Sequence, residues 1–202
     1  MEAENKSKEN EINTAEELQA KLAEELKASI AEKVREESDN SAKLTSIDSL
    51  TTLKPDVKLE YIDNNLAEMA KSDGYKDIKS MVAPNGTVYL YSAAFITIQY
   101  ANILARVETN DKCATIAMTV RDDSKIYPRL TRIEYFLVPP FNIEPEELEA
   151  HIARTLEQEE YKDIKLIIAS TEAHYLFSDL YIGEVYARTL MEWEEVEQYE
   201  NP

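Results

Sequence analysis

The stretch that decides the fold is residues 88–107, VYLYSAAFITIQYANILARV, the longest apolar run in the chain. An offset of 86 residues aligns it with residues 174–193, HYLFSDLYIGEVYARTLMEW, which carry Tyr, Leu, Ser and Ile at matching positions. The pentapeptide YKDIK precedes both copies unchanged, at 75–79 and at 161–165. Such self-similarity at a fixed offset indicates an internal duplication.

The duplication covers most of the chain in one register. Residues 28–108 align with residues 114–194 without a gap, and roughly three in ten aligned pairs are identical, well above chance. Each copy has the pattern of a helix, an extended arm, a second helix, a β-hairpin and a third helix. The sequence therefore predicts a helix-rich α+β fold made of two tandem, pseudo-symmetric modules.

The predicted boundaries lie where the repeat or the composition changes. We assign residues 14–108 to the first module and residues 109–195 to the second. Residues 1–13 are almost wholly polar, so they are predicted to be a disordered acidic tail, and residues 196–202 form a C-terminal tail. The chain has only three glycines and seven prolines, which is typical of a helix-rich protein with few irregular loops.

Individual elements carry boundary signals. The first helix is predicted over residues 14–38, because apolar residues recur there at every fourth position. The middle helices are predicted to begin near Pro55 and after Asn142, an N-cap candidate. Ser92 and Ser178 stand where each hairpin passes into the last helix, and both are predicted to cap that helix.

The chain is strongly acidic. Its 40 Asp and Glu against 22 Lys and Arg give a net charge of −18. Binding to nucleic acid phosphates needs clustered Lys and Arg, so nucleic acid is not an expected partner. Most of the excess negative charge lies in residues 1–27, 144–160 and 192–200. Such stretches are typical of solvated helix faces and tails, and the sharper hypothesis is that they dock a basic protein partner.

Cysteine content and hydropathy bear on location. The single cysteine, Cys113, forms no internal disulfide, and the polar N-terminus does not resemble a secretory signal, so we expect a cytoplasmic protein. Residues 88–105 carry no charge over the length of a membrane span. The aligned copy carries Asp179, Glu184 and Arg188, and charges are costly in a bilayer. Both stretches are therefore predicted to lie in the protein core, and no membrane contact is expected.

Residues that could catalyse a reaction or bind a metal are sparse. The two histidines, His151 and His174, have no Cys, His or carboxylate at a known ligand spacing, and the sequence lacks HExxH, CxxC and glycine-rich phosphate motifs. Ser92 and Ser178 lack a GxSxG setting and a shared histidine base. We expect no catalytic residues, no metal and no cofactor, which favours a non-enzymatic protein without excluding an enzyme.

Two charged pairs survive the duplication. Arg35 and Asp77 align with Arg121 and Asp163, in the first helix and at the start of the hairpin. Arginine suits a partly buried, two-pronged contact with a carboxylate. We predict a structural ion pair, formed either within each module or between the arginine of one module and the aspartate of the other. The alternative is that all four are surface residues retained by coincidence.

Several tyrosines also recur at the same offset. They are predicted to be core residues with hydroxyls near the surface, and the alternative is a tyrosine-lined groove for a ligand or peptide. The residues concerned are Tyr75, Tyr89, Tyr100, Tyr161, Tyr175 and Tyr186. The last helix of each module is predicted to bury its tyrosine together with the leucine one turn later, Tyr100 with Leu104 and Tyr186 with Leu190.

These observations leave two classes of function in view. The leading hypothesis is a non-enzymatic interaction or adaptor protein in the cytoplasm, whose acidic patches meet a basic protein partner. The alternative is a small-molecule-binding protein or enzyme with its site in the cleft between the modules. An acidic mimic of nucleic acid is a more distant third hypothesis. The oligomeric state is left open.

Overall fold

The structure is a computed structural model. It describes the backbone of residues 2–51 and 59–200 and the side chains of residues 17–50 and 64–196. The chain divides into two compact units, Met1–Ala105 and Arg106–Pro202, and each is described by itself. None of the helices in the described part of the chain is long and apolar enough to cross a membrane.

The first unit combines a long helix with a small antiparallel sheet. Its elements are α1 (Glu2–Ser41), β1 (Thr45–Ser46), α2 (Ile47–Thr51), α3 (Leu59–Met69), a 3-10 turn (Asp73–Tyr75), β2 (Ile78–Val82), β3 (Val88–Ser92) and α4 (Ile98–Val107). The strand order is β1-β3-β2, with the hairpin strand β3 in the middle. Helix α1 packs against β3 and against α3.

The second unit repeats this order. Its elements are α5 (Lys112–Ile126), β4 (Thr131–Arg132), a 3-10 turn (Ile133–Leu137), α6 (Pro145–Glu157), a second 3-10 turn (Glu159–Tyr161), β5 (Ile164–Ile168), β6 (His174–Ser178) and α7 (Glu184–Glu200). The strand order is β4-β6-β5. Ile164 pairs with Ser178 as Ile78 pairs with Ser92, so the register of the hairpins is the same. The predicted helix-rich α+β fold in two tandem copies is confirmed.

The extended arms differ from the prediction in one respect. Each arm begins with a two-residue strand, β1 or β4, that pairs with the second strand of the hairpin. The chain then turns at once into helix α2 or into the 3-10 turn after β4. In the second unit, Thr131 Oγ1 donates to Asp123 Oδ2 at 2.9 Å and ties the short strand to α5. Each arm therefore contributes a two-residue edge strand to the sheet.

Helix boundaries also depart from the prediction. Helix α1 begins at Glu2, whereas residues 1–13 were predicted to be a disordered tail; this polar segment contains no Gly or Pro, and its Glu, Lys and Ala are good helix formers. The predicted start near Pro55 lies outside the described residues. Helix α6 has Glu144, not Asn142, at its N-cap position, and Asn142 lies two residues earlier in a left-handed conformation with φ of 45°.

The core of each unit is built on both faces of the sheet. In the first unit, Leu90 of β3 packs toward the α1 stripe that contains Ile30 and Val34. Its neighbours Tyr89 and Tyr91 point to the opposite face, where α4 packs. A central strand covered on both faces needs a nearly continuous apolar sequence, which accounts for the VYLY run.

The last helix of each unit packs on the sheet through a narrow face that begins with an alanine. The buried positions are Ala101 and Ala105 in α4 and Ala187 and Met191 in α7. The predicted burial of Tyr186 is wrong, since this side chain is 52% exposed, and Leu190 is only half-buried. Tyr186 lies about 100° around the helix from Ala187, so the close approach of the alanine face to the sheet turns the tyrosine outward.

Candidate functional site

In the first unit, the arginine of α1 meets the aspartate that precedes the hairpin. Arg35 Nε donates to Asp77 Oδ2 at 2.8 Å, and Arg35 Nη2 donates to Asp77 Oδ1 at 2.6 Å. The same Nη2 donates to the backbone carbonyl of Gly74 at 3.0 Å. The contact is two-pronged and lies within one unit, which is one of the two arrangements that the sequence left open. Arg35 holds the pKa of the Asp77 carboxyl down at about 2.

The second unit has the same contact in a more buried setting. Arg121 Nε and Nη2 donate to the two carboxylate oxygens of Asp163 at 3.0 and 2.5 Å, and Nη2 reaches the carbonyl of Glu160 at 2.7 Å. The Asp163 side chain is 7% exposed, against 23% for Asp77. The guanidinium of Arg121 lowers the pKa of Asp163, so this buried carboxylate stays ionised.

Two serines in each unit complete the network. Ser92 Oγ donates to Asp77 Oδ2 at 2.8 Å, and the Ser92 backbone N–H donates to Ser38 Oγ at 3.0 Å. In the second unit Ser178 Oγ donates to Asp163 Oδ2 at 2.6 Å, and the Ser178 N–H donates to Ser124 Oγ at 3.0 Å. We call each set the clasp; it ties the first helix to the start and the end of the hairpin. The clasps consist of Arg35, Ser38, Asp77 and Ser92, and of Arg121, Ser124, Asp163 and Ser178.

The prediction that Ser92 and Ser178 cap the last helices is wrong. These serines end strands β3 and β6, and helices α4 and α7 begin only after a further turn. Both serines are fully buried, with their hydroxyls directed at the clasp aspartate. The retention of Ser through the duplication therefore reflects the clasp and not a helix cap.

The clasp also shapes the turn that follows the hairpin. In the first unit, Ala93 N donates to the carbonyl of Asp77 at 2.7 Å, and the N–H groups of Phe95 and Ile96 donate to the carbonyl of Ser92 at 3.1 and 3.0 Å. The second unit repeats all three bonds, at 2.8, 3.1 and 3.0 Å. We call residues 92–96 and 178–182 the aromatic turns. Each is held by backbone hydrogen bonds to clasp residues, and the two units share this conformation of the turn.

Each aromatic turn presents one aromatic ring to solvent. Phe95 is 50% exposed and Tyr181 is 45% exposed, while the next residues, Ile96 and Ile182, are 2% and 1% exposed and anchor the turn in the core. Sequence reasoning missed Phe95 and Tyr181, because the pair is not identical between the copies. The signal that could have found them is an aromatic residue at the same position of both repeats.

The recurring tyrosines do not share one surface. Tyr89, Tyr161 and Tyr175 are buried, Tyr75 and Tyr100 are half-buried, and Tyr186 is exposed. Tyr89 packs with Ala83 and Ala105, whereas Tyr75 packs against the cluster around Leu26. Burial raises the pKa of Tyr175, whose hydroxyl donates to Glu195 Oε1 at 2.6 Å. Neither unit therefore exposes all three of its recurring tyrosines.

The clasp residues serve to position the first helix and the hairpin of each unit. Among the described residues, no three His, Cys, Asp or Glu side chains come together in a way that could hold a metal ion. The hydroxyls of Ser92 and Ser178 are hidden from solvent and already donate to a carboxylate. Two open depressions on the surface, along α1 and beside β4, are lined by other residues. Besides the partly exposed arginine, each clasp has one exposed aromatic ring on the turn that it holds.

Comparison with known proteins places the chain in a family. The family model described as the YdhW C-terminal domain matches it twice, at residues 24–111 and 110–199, so the chain belongs to the YdhW C-terminal domain family. The curated protein named "Uncharacterized protein YdhW", from Escherichia coli (strain K12), is 34% identical over 138 residues. This alignment covers 68% of the chain but 64% of the relative, so the chain spans less than two thirds of that protein's length. No solved structure matches the chain.

Proposed function

We propose that this member of the YdhW C-terminal domain family is a non-enzymatic interaction protein, and that its two aromatic turns are contact points for a protein partner. The observation that carries the proposal is the pairing of an exposed aromatic ring with a buried ionic clasp in each unit. Both the ring and every clasp residue type occur in both copies.

The cost of the clasp supports an interaction role. Burying a carboxylate is costly unless a cation and hydrogen bonds compensate it, so a buried ion pair orients elements more than it stabilises them. In the second unit the clasp places such a carboxylate, Asp163, directly beneath the turn that bears Tyr181.

Exposed aromatic rings on a rigid turn are suited to protein contacts. Aromatic side chains bury a large area with little loss of conformational freedom, and they dominate binding energy at protein interfaces. Phe95 has the exposed Ile98 nearby in sequence, and Tyr181 has the exposed Leu180 beside it. Each turn therefore has a second exposed apolar side chain within three residues of its ring.

The partner is expected to be basic. The chain carries a net charge of −18, which raises the rate of encounter with positively charged proteins and repels nucleic acid. We place this role in the cytoplasm, since the chain has one cysteine and no disulfide of its own. The aromatic turns would supply the short-range contacts with the partner, and the acidic surface would supply the long-range attraction.

The proposal can be tested by quantitative affinity capture with the full chain as bait. The informative variant is the double change Phe95→Ala and Tyr181→Ala. Matched controls are Tyr127→Ala, another aromatic residue at 51% exposure, and Val82→Ala, at 66% exposure. We expect a basic protein that is retained by the unmodified chain and by both controls, is lost from the double variant, and is released by added salt.

Two results would count against the proposal. A partner held equally by the double variant would show that the turns are not the contact points. A saturable thermal shift with a metabolite, in the absence of any captured protein, would instead favour a small-molecule site.

A further inference from the structure

Helix α7 carries two apolar stripes on opposite sides. Ala187 and Met191 face the core and are 0% and 7% exposed. On the outer side, Tyr186, Trp193 and Val196 are 52%, 64% and 52% exposed. With Thr189 between them, the outer residues follow the alternating three- and four-residue spacing of a coiled-coil seam. We call Tyr186, Thr189, Trp193 and Val196 the α7 seam.

The seam is a property of the second module and not a requirement of the fold. In the first module the corresponding positions on α4 include Tyr100, Ile103 and Val107, and all three are half-buried. Because the two modules have the same fold, folding alone does not call for an exposed tryptophan on this helix. Large apolar side chains that are clustered and exposed mark interaction surfaces.

The charges bordering the seam are all negative at its C-terminal end. Residues 192–200 contain five glutamates and no lysine or arginine. Glu192 is exposed beside Trp193. Glu195, one turn after the core residue Met191, lies on the sheet side of the helix, where hydrogen bonds from Thr171 and Tyr175 lower its pKa, so it stays charged. The apolar stripe therefore has an exposed glutamate beside Trp193 and belongs to a strongly acidic stretch of the sequence.

We propose that the α7 seam docks a basic amphipathic helix of a partner protein. This inference rests on the proposed interaction function and names the chemistry of the partner. Charge complementarity selects the occupant, since lysines flanking an apolar stripe would meet the glutamates of α7. A second copy of this chain would bring its own five glutamates against them, and an anionic membrane surface would repel them.

The chain supplies its own reporter for the test. Trp193 is the one tryptophan of the sequence and lies in the seam. The probe is a synthetic helical peptide of about three heptads. Leucine occupies the two positions of each heptad that form the apolar stripe, a and d, and lysine occupies the others. Two control peptides have the same lysine and leucine content in scrambled order, and the same pattern with glutamate in place of lysine. We expect a saturable blue shift of the Trp193 emission with the first peptide alone, and weaker binding at higher salt.

Variants of the protein locate the contact, with a labelled peptide and fluorescence anisotropy as the readout. Trp193→Ala should weaken binding about 30-fold, as for a central aromatic hot spot. Glu192→Lys should weaken it as well, whereas Glu149→Lys, the same charge change at an exposed site on α6, should have little effect. Circular dichroism of each variant verifies that the fold is kept.

Four outcomes would overturn the inference. Two concern the peptides: the scrambled or acidic peptide binds as well as the basic one, or the folded chain does not bind the basic peptide at millimolar concentration. A third is that Glu149→Lys weakens peptide binding as much as Glu192→Lys does. The fourth is a dimer that Val196→Lys dissociates, which would make a second copy of the chain the occupant. Failure of the proposed function is distinguishable from failure of this inference. The double variant Phe95→Ala and Tyr181→Ala, which tests the proposed function, leaves the seam and its tryptophan in place.

Discussion

Replacing Arg121 by alanine should destabilise the second unit by about 3 kcal/mol. The change leaves the Asp163 carboxylate, which is 7% exposed, with the Ser178 hydroxyl but without its cation. Breaking a buried ion pair from one side costs about 3–5 kcal/mol, because an uncompensated charge stays in the interior. Arg121 itself is 26% exposed, so water that enters its place should keep the loss at the lower end of that range.

The first unit provides the matched comparison. Arg35 and Asp77 make the same two-pronged contact, but their side chains are 39% and 23% exposed. Exposed ion pairs contribute about 0.2–1 kcal/mol, so Arg35→Ala should cost about 1 kcal/mol. In double-mutant cycles we expect a coupling of about 2 kcal/mol between Arg121 and Asp163, and of about 1 kcal/mol or less in the first unit.

The measurement is urea unfolding at neutral pH for each single and double alanine variant. Far-UV circular dichroism follows the whole chain, and the fluorescence of Trp193 reports on the second unit. Strictly additive losses in the second unit would refute the contact itself. Equal coupling in the two units would refute the argument that burial sets its strength.

Three further predictions concern pH, the clasp serine and the packing of α7. Because Arg35 lowers the pKa of Asp77 from 3.8 to about 2, the stability contributed by this carboxylate is present above about pH 4 and is lost as the pH falls through about 2. Asp77→Asn should therefore flatten the acid-unfolding curve over that window, and an unchanged curve would contradict the assignment. Ser178→Ala should cost about 1–2 kcal/mol, read from the urea midpoint, since a buried carboxylate loses a hydroxyl donor; a loss too small to measure would mean that water replaces the hydroxyl. Ala187→Leu should destabilise the chain by about 1–3 kcal/mol through overpacking, whereas Tyr186→Ala should change the stability by no more than about 0.5 kcal/mol. Thermal unfolding measures both variants. A larger loss for Tyr186→Ala than for Ala187→Leu would mean that Tyr186, and not Ala187, faces the core.

Much of the architecture is readable from the sequence because it depends on local periodicity. The repeat predicts two copies of one module, the turn at 84–86 predicts the hairpin, and the four-residue spacing through Ile30 and Val34 predicts the buried stripe of α1. The stripe was predicted to begin earlier, yet Leu18 and Leu22 are 61% and 48% exposed, because periodicity shows which residues share a face but not where the neighbouring element ends.

The charged pairs show where sequence information stops. Retention of Arg and Asp in both copies predicts a contact, but the same pattern allows a pair within a module or across modules. The structure brings Arg35 to Asp77 and Arg121 to Asp163 within each unit. The role of Ser92 was also missed, because its partners lie at Ser38 and Asp77, far away along the chain, and no local pattern encodes such a bond.

The amino-acid sequence by itself determined the duplication, the order of elements and the apolar character of the central strands, since each follows from spacing along the chain. Tertiary structure alone decided that a two-residue arm becomes an edge strand, that buried serines serve a carboxylate, and that Phe95 and Tyr181 reach solvent. Helix α7 shows the physical reason most clearly. Its sequence contains two apolar stripes of similar quality. The small Ala187 lets the helix approach the sheet closely, and the flexible Met191 one turn later fills the remaining space, which leaves Trp193 outside.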